Sequence, residues 1–231
     1  MFGVKKLGRR SRPLLTILVL ICLVPVAGVL IHAVVPPPVT ILMLKQALGG
    51  HGLDYRWRGL NDISPNLVYA AIAAEDARFC SHQGFDVEAI QKALETNAEG
   101  GKIRGGSTIS QQTAKNVFLW PGRDWVRKGL EAGYTVLIET VWTKRRIMEV
   151  YLNVAEWAPG VYGAEAASRH WFGKSARNLT PREAARLAAI LPSPRRYDAA
   201  DPGPYVRRRA ARVQASAQVV RNEGLAACVL R

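Results

Sequence analysis

The stretch "AAEDARFCSHQGFD", residues 73–86, ends an apolar helical run and places Glu75, Asp76, His82 and Asp86 within twelve positions. Of the four histidines in the chain, His82 is the one that falls in this cluster. Upstream, "SPNLVYAAIAAED" offers Ser64 as an N-cap, Pro65 at the first helical position and an apolar face behind them. Glu75 therefore closes a helix whose preceding residues, Ala70 to Ala74, are all small or apolar. Partial desolvation and nearness to a helix C-terminus both raise a carboxyl pKa, the tuning that a general acid or base near neutrality requires. The plainer alternative is a surface Glu-Asp pair ending a helix. Asp76 and Asp86 read as turn and cap residues, Asp86 capping "VEAIQKALE", and His82 as either a loop holder or a catalytic group.

Thirty residues on, "GGSTISQQTAKN" (105–116) joins glycines, hydroxyls, amides and a lysine. Gly105 and Gly106 allow close backbone approach, and Ser107 or Thr108 caps the helix that follows. Free N–H groups at that helix start, with Lys115 two turns later, form an anion site, and Gln111 and Gln112 offer amides suited to a sugar. Alone, the pattern is weaker than a Walker loop and is matched by any capped helix. A third cluster, "GRDWVRKGLEA" (122–132), puts Arg123, Arg127, Lys128 and Glu131 on a loop and the first turns of a helix. Arg127 and Glu131 are four apart, the spacing of an intrahelical ion pair, or else they form a second carboxylate with cations beside a phosphate pocket. Val117, Phe118, Leu119, Trp120 and Trp125 lie around it, either in the core or at a membrane interface.

The formal net charge of +14 calls for an anionic partner. Five of the cations, Lys5, Lys6, Arg9, Arg10 and Arg12, sit in an acid-free N-terminus. They precede "LLTILVLICLVPVAGVLIHAVV", residues 14–35, which carries no charge. Twenty-two residues at about 1.5 Å each span roughly 33 Å, enough for a bilayer core and longer than the apolar region of a cleaved signal. An uncleaved single-pass anchor is the expectation, with a cytoplasmic N-terminus and everything after it outside the inner leaflet, which disfavours nucleic acid as the partner. Three cysteines fit no disulfide framework or zinc spacing; Cys80 and Cys228 either pair or remain thiols. "TPREAARLAAIL" repeats the cap device, with Thr180, Pro181 and Glu183. Residues 124–153 read as helix broken near Thr143, and no convincing strand period appears. The arginine-rich end (Arg195, Arg196, Arg207, Arg208, Arg209, Arg212) reads as a solvated face more readily than as a binding surface.

Taken in order, "EDARFCSHQGFD", "GGSTISQQ", "RKGLE" and "RRIMEVYLN" resemble the motifs of the peptidoglycan glycosyltransferases, E-D-x-x-F-x-x-H-x-G-x-D, G-G-S-T-I-T-Q-Q, R-K-x-x-E and R-x-I-x-E-x-Y-L-N. The first is complete, and the second departs only at Ser110, which keeps the hydroxyl of the usual threonine. The likeness covers roughly residues 55–200 and is to the monofunctional biosynthetic form, since the S-x-x-K and K-T-G signatures of the bifunctional penicillin-binding relatives do not occur.

This resemblance implies a mainly α protein: a transmembrane helix plus a two-lobed, lysozyme-like α-helical glycosyltransferase domain. The expected organisation is a cytoplasmic basic segment (1–13), anchor (14–35), juxtamembrane segment (36–54), catalytic domain (55–200) and basic tail (201–231). It implies polymerisation of lipid II into β-1,4-linked glycan with inversion and release of undecaprenyl diphosphate at the bacterial inner membrane, on the periplasmic side. Glu75 would be the base, and Glu131 would support the cations or a divalent ion (Mg or Mn) at the pyrophosphate, no cofactor being otherwise required. Lys115, Arg123, Arg127 and Lys128 would neutralise the leaving group, and Ser107, Gln111 and Gln112 would line the donor pocket. Glu149, Tyr151 and Asn153 would be structural. Partners would be lipid II, the growing strand, the membrane and other cell-wall synthesis or division proteins. The competing readings are a muramidase that cuts the same polymer and a non-catalytic envelope scaffold.

Overall fold

The computed structural model describes residues 23–98, 106–122 and 124–230. They divide into two units at Val35/Pro36. In the first unit, residues 23–32 are helical (α1). The basic segment 1–13 and the first part of the expected span 14–35 lie outside the described residues, and among the described residues no helix is long and apolar enough to cross a membrane.

The second unit is mainly helical. It runs α2 (Ile41–Gln46), β1 (Asp54–Tyr55), α3 (Pro65–Glu75), α4 (Val87–Ala98), α5 (Ile109–Phe118), α6 (Trp125–Val141), α7 (Lys144–Val154), β2 (Glu156–Ala158), β3 (Val161–Tyr162), α8 (Ala164–Phe172), α9 (Pro181–Ile190), α10 (Pro204–Asn222) and α11 (Ala227–Leu230). Two helical groups organise it: α3, α9 and α10 pack on one another, and α5 packs on α6 and α7.

Local chemistry sets the helix starts. Ser64 accepts the Asn66 N–H at 3.4 Å with Pro65 behind it, and donates its own hydroxyl to Leu179 O at 2.9 Å. Thr180 and Glu183 form the anticipated capping box. The break near Thr143 is real: α6 ends at Val141, and Thr143 caps α7 by accepting the Arg146 N–H at 3.1 Å. Such caps are worth about 1 kcal/mol each.

One feature departs from the sequence reading. A small sheet exists, ordered β1-β3-β2, with β1 parallel and β2 antiparallel to β3. Its strands of two or three residues are too short to show a period of two. Gly160 makes the sheet's turn possible: its φ is +73°, and a Cβ there would lie 2.2 Å from the His51 carbonyl oxygen. The arginine-rich end keeps the solvated face read from the sequence, with Arg195, Arg196, Arg207, Arg208 and Arg212 exposed and Arg209 half-buried. α10 buries Val206, Ala210, Val213 and Val220 against α3 and α9.

The core is built on α3, α5 and α7, whose Leu67, Ile72, Ile109, Ile147, Met148 and Leu152 are fully buried together with Phe79 and Trp157. Each such side chain contributes about 1.5–3 kcal/mol by leaving water. Cys80 and Cys228 are disulfide-bonded across 148 positions, tying the loop after α3 to α11. A loop of that length restricts the unfolded chain by about 5 kcal/mol in the chain-entropy picture. α11 in turn lies on α7, where Arg145 donates to Val229 O at 2.7 Å.

Candidate active site

Glu75 is the last residue of α3, at the meeting of the two helical groups. Its carboxylate is largely buried, with 15% of the side chain exposed. From α5, Gln112 donates its Nε2 to Oε2 at 3.0 Å. From α10, the Arg209 guanidinium lies 3.5 Å from Oε1. Burial pushes the carboxyl pKa above the ordinary range and Asp76 adds to this, while Gln112, Arg209 and Lys115 pull it back. The net rise is what the sequence led us to expect of a proton-transferring group.

Around Glu75, the loop 76–86 is held by its own polar groups. Asp76 accepts from or shares a proton with His82 Nε2 at 2.9 Å, and its other oxygen accepts the Ile109 N–H at 3.0 Å, at the start of α5. His82 is thus a loop holder, and Asp86 caps α4 through the Ala89 N–H at 3.0 Å. Asp76, His82 and Asp86 form a grouping with metal-ligand potential, but these hydrogen bonds already occupy both oxygens of Asp76 and one of Asp86. Gly84 must be glycine: at φ +88° a Cβ would sit 2.7 Å from Thr135 of α6. Its carbonyl accepts the Thr108 hydroxyl at 2.6 Å, which locks the loop to the cap of α5. Ser110 donates to Glu139, which also pairs with Lys144 at 2.7 Å, and Lys144 lies 4.5 Å over the Phe79 ring. Ser110 thus reaches α6 through its hydroxyl, the group it keeps where threonine is usual.

The second carboxylate is more firmly paired. Glu131 is buried, its Oε2 accepting from Arg127 at 2.8 Å and its Oε1 from Lys128. The intrahelical pair posed by the sequence is thus present in α6. A shallow depression of about 300 Å³ is lined by Asp124, Trp125, Arg127 and Lys128. With both oxygens taken by cations, Glu131 does not suit a divalent ion, which would have to displace one of them.

Lys115 joins the two carboxylates. It projects from α5 with no ion-pair partner among the described residues, and burial lowers its pKa. Glu131 and Glu75 oppose that shift, while Arg127 and Lys128 reinforce it. One ammonium thus senses every charged site residue foreseen from the sequence except Arg123, which lies outside the described residues. A half-buried cation without a counter-ion, flanked by two more cations, is a seat for an anion.

The remaining candidates divide. Ser107 is exposed, and its side chain has no hydrogen bond among the described residues. Gln111 is buried and its Oε1 accepts the Thr108 N–H at 3.0 Å, so it completes the helix cap and does not line a pocket. Glu149 and Asn153 bind the backbone of Leu60 and Arg58, and Tyr151 is buried, as befits structural roles. Trp120 and Trp125 are exposed, the latter by 90%, whereas Leu119 is buried and Phe118 stacks on Tyr134 at 4.5 Å between ring centres. Sequence reading missed Arg209. The signal was there: it lies on the apolar stripe of α10, three after Val206 and four before Val213, where a charge is out of place unless it has a partner.

The sequence also matches known proteins. It is 60% identical over 205 residues to the biosynthetic peptidoglycan transglycosylase of Caulobacter vibrioides, covering 89% of this chain and 90% of the relative. The protein of the same name from Rhodospirillum centenum is 51% identical, with 96% of each chain covered. That from Xanthomonas campestris pv. campestris is 54% identical over 86% of this chain and 84% of its own length. The family described as Transglycosylase matches residues 44–218, a stretch that holds Glu75, Lys115, Glu131 and Arg209 together. On both counts, the chain belongs to the transglycosylase family.

Proposed function

We propose that this protein is a peptidoglycan glycosyltransferase of the cell envelope that polymerises lipid II, with Glu75 as the general base. In this reading Glu75 takes the proton from the 4-hydroxyl of the GlcNAc unit of lipid II as the oxygen attacks the anomeric carbon of the donor's terminal MurNAc. The C–O bond to undecaprenyl diphosphate breaks with its electron pair, and an α-linked donor yields a β-1,4 linkage by inversion. Lys115, Arg127 and Lys128, with Arg123, meet the charge that develops on the diphosphate. Glu131 holds Arg127 and Lys128 in place, Gln112 orients Glu75, and Ser107 contacts the donor. The observation that carries this reading is Lys115, with no ion-pair partner among the described residues and within electrostatic reach of both Glu75 and Glu131.

Leaving-group chemistry separates this reading from glycan cleavage. A muramidase expels a sugar alkoxide and needs a protonated carboxyl beside it. A diphosphate leaves without a proton donor when cations receive it, and the cluster around Lys115 is cationic. The finer architecture belongs to the same proposal: a two-lobed, lysozyme-like domain, with α3, α9 and α10 in one lobe and α5, α6 and α7 in the other. So does a single-pass inner-membrane anchor over residues 14–35, with the N-terminus cytoplasmic. The uncharged run and the exposed Trp120 and Trp125 support membrane contact, which keeps the lipid-linked substrate near the site. The test incubates purified protein with labelled lipid II and looks for polymer that lysozyme digests. Polymer is expected; degradation of added glycan, or neither activity, would overturn the reading in favour of a muramidase or a scaffold.

A further inference from the structure

We propose that Arg209 is a positioning residue for Glu75: α10 supplies a guanidinium that, opposite Gln112, clamps the carboxylate and keeps it in the proton-accepting form. The proposal rests on the base role given to Glu75 above and extends it to a residue outside the four motifs.

The geometry is that of a two-sided clamp. Arg209 stands 3.5 Å from Oε1 and Gln112 donates to Oε2 at 3.0 Å, so each oxygen has one partner from a different helical group. Glu75 is the only partner of the Arg209 side chain among the described residues, and the Arg209 Nε is buried with no hydrogen bond at all. A guanidinium that is 23% exposed, with a buried and unbonded Nε, gains little from its position except the Glu75 contact. Its own helix is fixed by Val206, Ala210 and Val213, which pack on α3 and α9, so the arm is anchored on both sides of the charge.

The division of labour between the two cations near Glu75 follows. Lys115 feels Arg127, Lys128 and Glu131 as well as Glu75, and in this reading it meets the departing anion. Arg209 arrives from the other helical group and is absent from the charges that Lys115 senses. The groups acting on the Glu75 carboxylate are Asp76 on its own chain segment, Gln112 and Lys115 from α5, and Arg209 from α10, with the buried Tyr151 of α7 close enough to feel both acids. Burial and Asp76 favour the protonated acid, and Arg209 is the nearest full positive charge that opposes them. Without it, the carboxyl would hold its proton to higher pH and lose one of its two orienting contacts.

The experiment uses the full chain in detergent with labelled lipid II, comparing wild type, Arg209→Gln and Arg209→Lys. Arg209→Gln should lower kcat about tenfold at neutral pH, move the acidic limb of the kcat profile upward, and leave KM nearly unchanged. Arg209→Lys, which keeps the charge but not the planar fork, should restore most of the limb's position. A raised KM with an unmoved limb would make Arg209 a substrate contact and overturn the proposal. The Glu75 carboxyl is also titrated directly by ¹³C NMR, assigned by its loss in Glu75→Gln. An upward move in Arg209→Gln is expected; if that variant does not fold, Arg209→Lys must still titrate higher than wild type. An unmoved titration in the folded variant overturns the clamp whatever the kinetics. Polymerisation that survives in Glu75→Gln would instead defeat the base reading and leave the titration result standing.

Discussion

Two buried glutamates sit in different neighbourhoods of this domain, and they titrate in opposite directions. Glu165, in the first turn of α8, has a fully buried side chain that bonds Arg169 at 2.7 Å, the Ala176 N–H at 2.9 Å and Ser175 at 3.1 Å, with Arg58 at 3.7 Å. Burial alone would raise its pKa, yet these partners together hold it below the ordinary range. Glu75, also largely withdrawn from water, has one amide and one more distant guanidinium, which do not offset burial, and its pKa rises. The difference is in saturation. A carboxylate with every lone pair occupied is a structural anion; one left short of partners is poised to take a proton. Stability pulls in opposite directions as well. Glu165 stabilises the fold above the pKa of the unfolded chain and ceases to as pH falls through its lower native value. Glu75 binds its proton more tightly when folded, so it costs stability as pH rises through its native value.

Substitution at the two sites would sharpen this contrast, and the largest effect belongs to Glu75. Glu75→Gln should cut lipid II polymerisation by about a thousandfold. The same variant should melt higher than wild type near pH 7–8, the gap closing below about pH 4 where both states are protonated. Equal activity, or a lower melting temperature at neutral pH, would break the contrast. Glu165→Ala should cost about 2–3 kcal/mol in denaturant unfolding at pH 7, because it strands the Ala176 N–H and Arg169. That loss should shrink below about pH 4, while kcat of the folded fraction stays near wild type. Smaller still, Lys115→Ala should raise KM for lipid II about tenfold, roughly 1.4 kcal/mol, by removing the unpaired cation. Inorganic pyrophosphate should raise the melting temperature of wild type and do so less in this variant. Unchanged KM and undiminished protection would move the anion seat away from Lys115.

Much of this was legible before any coordinates because it is short-range. Caps at Ser64 and Thr180, the break near Thr143, the cap role of Asp86 and the Arg127–Glu131 pair depend on residues within a few positions of each other, where helix geometry alone sets the distance. Gln111 shows the limit of that reading: it was read as an amide suited to a sugar, whereas it is buried and completes a capping box with Thr108. The strands were illegible because they are too short to show a period, and the Cys80–Cys228 bridge because two cysteines 148 positions apart carry no spacing rule.

By itself, then, the sequence determined the starts of α3, α4, α5 and α9 and the inventory of acids and cations, since each is encoded in neighbouring residues. Tertiary structure alone decided which of those charges meet. Only the packing of α10 on α3 brings Arg209 to Glu75, and only the folded chain puts Lys115 of α5 within electrostatic reach of both Glu75 and Glu131. The physical reason is that a carboxylate's proton affinity is set by burial and by partners distant in the chain, and neither exists until the helices pack.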